Sequence, residues 1–182
     1  MNYVGTAFSQ LAFAWKLYNY ALEGKINLAE LDRPLTFQGG GMVFVLPDKV
    51  LDTPDDMILA LQNNLVITFG AAAITLNRCR EEAGYLLPTQ IESETDQFIG
   101  ATYQIRNAFA HDIAEPRWNM TNQRYARIYA FGGIHIDLTN VGTKIFEYQD
   151  IGGPDVLFRM KEYAEAHLWH SSVMPGKQTK NI

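Results

Sequence analysis

The stretch S-E-T-D-Q-F-I-G-A-T-Y-Q-I-R-N-A-F-A-H, from Ser93 to His111, decides how the rest of the chain is read. Ser93 followed three residues later by Asp96 is a variant of the capping box, in which the first residues of a helix satisfy each other's orphan backbone donors. Phe98, Thr102, Ile105 and Phe109 then recur at three- and four-residue steps, which lines them along one face of a helix. The segment Asp112 to Pro116 closes it, because the ring of Pro116 disfavours helical backbone at Glu115. The other long apolar patterns of the chain share this period, so the expected fold is mainly α.

Val4, Phe8, Leu11, Trp15, Tyr18 and Leu22 predict a first helix from Asn2 to about Leu22, ended by Gly24. Thr53, Pro54, Asp55 and Asp56 mark a second start: an N-cap, a proline at the first helical position and two acids facing the positive helix end. Its apolar stripe is Ile58, Leu61, Leu65, Phe69, Ala72, Leu76 and Cys79, and it ends near Gly84. With no charge from Met57 to Asn77, its other faces are expected to be covered as well. A last helix starts near Pro154-Asp155 and buries Leu157, Met160, Ala164 and Leu168. Two segments break the period. Met42 to Leu46 reads as a short strand after Gly39-Gly40-Gly41; no Lys-Ser/Thr pair follows those glycines and no helix opens, so a turn fits better than a phosphate loop. Ile134, Ile136 and Leu138 alternate with His135 and Asp137, Asn140-Val141-Gly142 reads as a turn, and Lys144 to Tyr148 as the returning strand. The expectation is a single domain over residues 1–170, a helical bundle with a small antiparallel β-hairpin insertion, and a loose tail over 171–182.

The chain has 182 residues, 47% of them hydrophobic and 19% charged, enough for a core and too apolar for wholesale disorder. Its net charge of −5 argues against avid, sequence-independent nucleic-acid binding, which needs a broad basic footprint. The low charge fraction suggests surface hidden by self-association. Cys79 is the single cysteine, which excludes an internal disulfide and fits a reducing cytosol. The start of the chain lacks the pattern of a signal peptide. The run Met57 to Asn77 is long enough to cross a bilayer, but Gln62, Asn63, Asn64, Thr68, Thr75 and Asn77 make it too polar to face lipid. A cytoplasmic protein without a membrane partner is expected.

Chemistry concentrates in R-N-A-F-A-H, Arg106 to His111. It joins an always-charged guanidinium, an amide and an imidazole that titrates near neutral pH. With Phe98 set at zero and ~100° per residue, Arg106 falls at roughly 80°, Asn107 at roughly 180° and His111 at roughly 220°. Gly100, Gln104, Asn107 and His111 then form a small and polar face, with Gln104 a further candidate for substrate binding. Arg106 lies roughly 140° from His111 on a straight helix, so a shared phosphate needs its long side chain, a local bend or a second subunit. From Arg106 to Arg127 four arginines (Arg106, Arg117, Arg124, Arg127) face only Asp112 and Glu115, and Trp118 and Tyr125 lie among them, where they can stack on bases. The residues alone also permit a structural role: an arginine bridging to an acid, Asp112 included, and a histidine held by the dipole of a helix C-terminus. His135 and Asp137 with His111 and Asp112, or His167 with His170, are weak metal patterns, and no metal or other cofactor is expected.

The hexapeptide resembles the motif of the HEPN superfamily (higher eukaryotes and prokaryotes nucleotide-binding): an Arg, four to six residues and a His, often with a polar residue just after the Arg. Here these are Arg106, Asn107 and His111. The resemblance covers the four helical segments and leaves 36–50 and 127–148 as insertions. It implies a HEPN-like bundle that pairs as a homodimer, so that two motif helices build one cleft. The implied activity is metal-independent RNA cleavage to a 2′,3′-cyclic phosphate and a 5′-hydroxyl, of the toxin or defence type, with an antitoxin-like protein as a further partner. The same fold also serves as a non-catalytic nucleotide- or protein-binding module.

Overall fold

The computed structural model describes residues 3–32, 36–45 and 51–169. The fold is mainly helical, with two small antiparallel hairpins. The elements run α1 (Tyr3–Leu22), α2 (Leu28–Leu31), β1 (Thr36–Gly39), β2 (Met42–Val45), α3 (Pro54–Glu82), α4 (Glu94–Ala110), β3 (Ile128–Phe131), β4 (Ile134–Asp137) and α5 (Val156–His167). They group into two compact units, one drawn from Met1–Leu11 and Ile67–Ile182, the other from Ala12–Val66.

Both long-helix starts form as their sequences specify. At α4 the Asp96 amide donates to Ser93 Oγ (3.1 Å) and the Ser93 amide donates to Asp96 Oδ2 (2.9 Å). At α3 the Asp56 amide donates to Thr53 Oγ1 (3.2 Å) and the Thr53 amide to Asp56 Oδ2 (2.8 Å). The expected stripe of α1 holds as far as Leu11 and departs after it. Val4, Ala7, Phe8, Leu11, Ala14 and Ala21 are buried, while Trp15 and Leu22 are exposed.

In the first unit the later half of α3 buries Phe69, Ala72, Ala73, Leu76 and Cys79. Gly70 leaves room for side chains of α4 and the loop after it: a Cβ there would lie 2.5 Å from Phe109 Cδ1 and 2.9 Å from Ile113 Cγ1. Phe69 and Phe109 pack with Phe146 and Tyr148 at ring separations of 4.8–5.7 Å. A second aromatic group joins Phe98 of α4, Phe131 of β3 and Tyr163 of α5.

The hairpin over 127–148 differs from expectation. β3 pairs with β4, Ile128 opposite Asp137 and Phe131 opposite Ile134, across Gly132-Gly133 with φ of +52° and +73°. Two consecutive left-handed residues make the tight primed turn that matches strand twist. The turn therefore falls eight residues before Asn140-Val141-Gly142. Lys144–Tyr148 is no returning strand: Ile145 makes one isolated bridge to Arg117, and Tyr148–Ile151 is a 3₁₀ turn.

The second unit holds the rest of α1, α2, the β1–β2 hairpin and the start of α3. The expected strand is present as β2, preceded by a partner strand β1; Leu46 lies outside the described residues. Every residue of β2 is exposed. The first half of α3 buries Met57 and Leu65, leaves Ile58 and Leu61 half-buried and exposes Leu59, so the uncharged run is covered less fully there than in its later part. By length and composition α3 also qualifies as a bilayer-crossing helix, with 33% of its most apolar window buried.

Candidate functional site

The last two turns of α4 carry Tyr103, Gln104, Arg106 and Asn107, and His111 is its C-cap. Opposite them runs the segment 119–125, entered through 117–118 and held by backbone and side-chain bonds, one of them to α4 itself. The Arg117 amide donates to the Ala108 carbonyl (2.9 Å), the Trp118 amide to the Lys144 carbonyl (2.9 Å) and the Met120 amide to the Gly142 carbonyl (3.1 Å). Asn122 accepts the Arg124 amide (3.1 Å) and starts a short 3₁₀ turn, Gln123–Tyr125. The buried Tyr129 hydroxyl donates to the Tyr125 carbonyl (3.0 Å) and pins the end of that turn.

Between the two lies a pocket of about 460 Å³, lined by Arg106, Asn107, His111, Gln104, Arg124 and Tyr125, together with Leu87, Tyr103, Asn119, Thr121 and Asn122. Arg106 and His111 of one chain thus reach one cavity, with no second subunit needed to bring them together. No carboxylate lines it. Arg106 Nη1 donates to Asn107 Oδ1 (3.1 Å) and has no carboxylate partner among the described residues. The His111 ring is exposed and has no hydrogen-bond partner among them. Arg124 is fixed over the Tyr125 ring, 4.5 Å from its centroid, and also bonds the Tyr125 hydroxyl. Tyr103 tilts against Tyr125 at 5.7 Å.

Asp112 does not neutralise the pair. Its Oδ1 accepts the Glu115 amide (3.0 Å) and the Ala114 amide (2.8 Å), and these bonds hold its carboxyl below the usual range. A further cation lies behind Tyr103 and Tyr125. Arg80 is 2% exposed, bonded to Asn77 Oδ1 (2.9 and 3.2 Å), Glu81 Oε1 (2.9 Å) and the Tyr85 carbonyl. Burial pulls its pKa down and the Glu81 charge opposes that. Its field reaches both tyrosines.

The expected basic island divides. Arg117 is exposed, 3.7 Å from Glu115, and lines a neighbouring pocket of about 240 Å³ that shares His111 and Asn119 with the first. Arg127 is half-buried and donates to the Ile91 carbonyl (3.0 Å), outside the pocket. Trp118, expected to stack on bases, is 1% exposed, and its indole donates to Asp150 Oδ2 (2.7 Å); it is a core residue with no face to offer. Gly100 leaves the expected polar face because it packs under Tyr129, whose Cε1 would lie 2.8 Å from an added Cβ. Tyr103, Asn119, Thr121 and Asn122 were not singled out from the sequence. The polar run Asn119-Met120-Thr121-Asn122 beside the arginines was the available signal.

His135 and Asp137 line a separate pocket of about 410 Å³ with Lys144 and Asp150, away from His111 and Asp112. Asp137 is engaged by Thr139 through its hydroxyl (2.6 Å) and amide (2.9 Å). His167 stacks on Tyr163 at 4.5 Å; His170 lies outside the described residues. Among the described residues no three His, Cys, Asp or Glu side chains come together as a metal site. No family model, no curated protein and no solved structure matches the chain.

Proposed function

We propose that this protein is a metal-independent endoribonuclease acting through Arg106, His111 and Asn107. The observation that carries the reading is the pocket shared by Arg106, His111 and Arg124, ringed by amides and free of carboxylates. A phosphodiester needs positive charge and hydrogen-bond donors, and the lining holds both. His111, unbound and exposed, takes the proton from a ribose 2′-hydroxyl. The 2′-oxygen attacks phosphorus, the bond to the 5′-oxygen breaks, and a 2′,3′-cyclic phosphate and a 5′-hydroxyl result. Arg106 and Arg124 offset charge building on the phosphoryl oxygens, and Asn107, bonded to Arg106, orients that guanidinium. The neighbouring pocket shares His111 and Asn119 with it and carries Arg117 alongside the carboxylates Asp112 and Glu115.

Each chain brings one imidazole to the pocket, whereas the 5′-oxygen also needs a proton. A homodimer supplies the second histidine. Exposed apolar side chains on the second unit, Phe13, Met42, Val43 and Val45 at 62–68% exposure, support self-association. The same single imidazole favours a second reading, a nucleotide-binding module without catalysis.

The deciding experiment is cleavage of single-stranded RNA with chelator present, for wild type, His111→Ala and Arg106→Ala. Loss of an acid–base group lowers the rate by about 10²–10⁴-fold, and neither variant should shift the melting temperature, since both side chains lie off the buried stripe. RNA bound but not cut by wild type selects the binding module. Cleavage by folded His111→Ala at the wild-type rate overturns the proposal.

A further inference from the structure

Gln104 is 3% exposed and lines the pocket, and its carboxamide makes no hydrogen bond among the described residues while keeping a little open surface, unlike Thr102 Oγ1, which is enclosed without a partner. Buried amides are normally paired, because water is lost and nothing replaces it. A donor and an acceptor fixed side by side and left unpaired at a cavity wall are poised for a ligand that offers the complement. The nucleobases have such edges: an amide pairs with a neighbouring amino or imino hydrogen and a ring nitrogen or carbonyl. The surroundings fit a base as well. Tyr103, next in sequence, lines the same pocket and tilts against Tyr125, and base–aromatic stacking tolerates any π-face. Arg106 and Arg124 stand on the same lining for the attached phosphate. The volume, about 460 Å³, falls within the roughly 300–1,000 Å³ of small-molecule sites.

We infer that Gln104 is the specificity-determining residue of a nucleobase subsite, so that the pocket seats one nucleotide and selects its base. This rests on the reading of the pocket as a nucleotide site. Arg106 and Arg124 supply affinity that is blind to sequence, and the Gln104 amide supplies the choice. A base whose edge cannot match the amide leaves it unpaired, which is the kind of penalty that separates ligands strongly.

The test is calorimetric titration of the full chain with AMP, GMP, CMP, UMP and ribose 5-phosphate, for wild type and Gln104→Leu. Wild type should bind one of the four nucleotides at least about tenfold more tightly than the least favoured. Gln104→Leu should bring the four within about threefold. A carboxamide kept only for packing would leave the preference unchanged in Gln104→Leu. Equal binding of all four nucleotides by wild type, with ribose 5-phosphate bound, overturns the base subsite and leaves the anion pocket standing. Failure of wild type to bind any of the five removes the nucleotide reading beneath it. If Gln104→Leu does not fold, Gln104→Met replaces it; a preference that survives in a folded variant overturns the role of Gln104.

Discussion

Asp150 shows how a buried charge is tied into this protein. Its side chain is 7% exposed, and it accepts the Trp118 indole and the Glu147 amide (3.0 Å) while pairing with Lys144. Burial alone would raise its pKa. The bonds from Lys144, Trp118 and Glu147 outweigh that and hold the carboxyl below its ordinary 3.8. A folded-state pKa below the unfolded one stabilises fully above the unfolded value and is lost as pH falls through the folded value. Asp150→Asn should therefore cost about 1–3 kcal/mol near neutral pH. Urea unfolding of both proteins should show this gap narrowing below about pH 4; a gap that does not change with pH contradicts the account. Trp118 also shows where residue-level reading stops. An aromatic among arginines suggests a stacking surface, but its partner lies 32 positions later, beyond the reach of local pattern. Arg106 and His111 were legible as a pair of chemical groups. Their common pocket was not, because the opposite wall is carried by 119–125 and placed by bonds to residues 108, 142 and 144.

At the scale of elements, capping signals served best. Ser93 with Asp96, and Thr53 with Pro54 and the acids after it, located two helix starts because Ser93, Asp96, Thr53 and Asp56 satisfy backbone groups within four positions. The hairpin turn was misplaced for the complementary reason: Asn140-Val141-Gly142 and Gly132-Gly133 both permit a left-handed backbone, and register depends on which strand finds cover against α4. The α3–α4 contact yields a direct test. Gly70→Ala places a methyl carbon 2.5 Å from Phe109, whose ring is confined by Phe69 and Phe146. Overpacking of this kind costs about 1–3 kcal/mol, so thermal melting should fall. Phe109→Ala at the same contact leaves a cavity and should cost about 3–5 kcal/mol. A Gly70→Ala protein as stable as wild type would mean that the helices separate more easily than the ring packing implies.

At the scale of the molecule, the mainly α fold was legible from helical period alone, because every long apolar pattern except two shares it. The grouping into two compact units was not, since α1 and α3 each contribute to both and their sequence patterns continue without a break. A net charge of −5 with few pocket arginines has a measurable consequence. With two or three phosphate contacts, the affinity for single-stranded RNA should fall with salt at a slope of about −1.4 to −2.1 on logarithmic axes. A slope several times steeper would require a basic surface beyond Arg106, Arg124 and Arg117. Sedimentation at micromolar concentration should show a dimer, and Val43→Glu with Val45→Glu should shift it to monomer. A monomeric wild type would remove the second histidine from the cleavage scheme.

The single thiol offers a clock for the protein's own breathing. Cys79 is fully buried, donates to the Tyr3 hydroxyl (3.3 Å), and burial pushes its pKa up to about 11; Tyr3 in turn bonds Glu82. In the closed state the thiol is both hidden and protonated, so an alkylating reagent at neutral pH can mark it only when the start of α1 lifts from α3. With no other cysteine to compete, the rate at which the label appears reports the population of that open state, and at high reagent concentration it levels off at the opening rate itself.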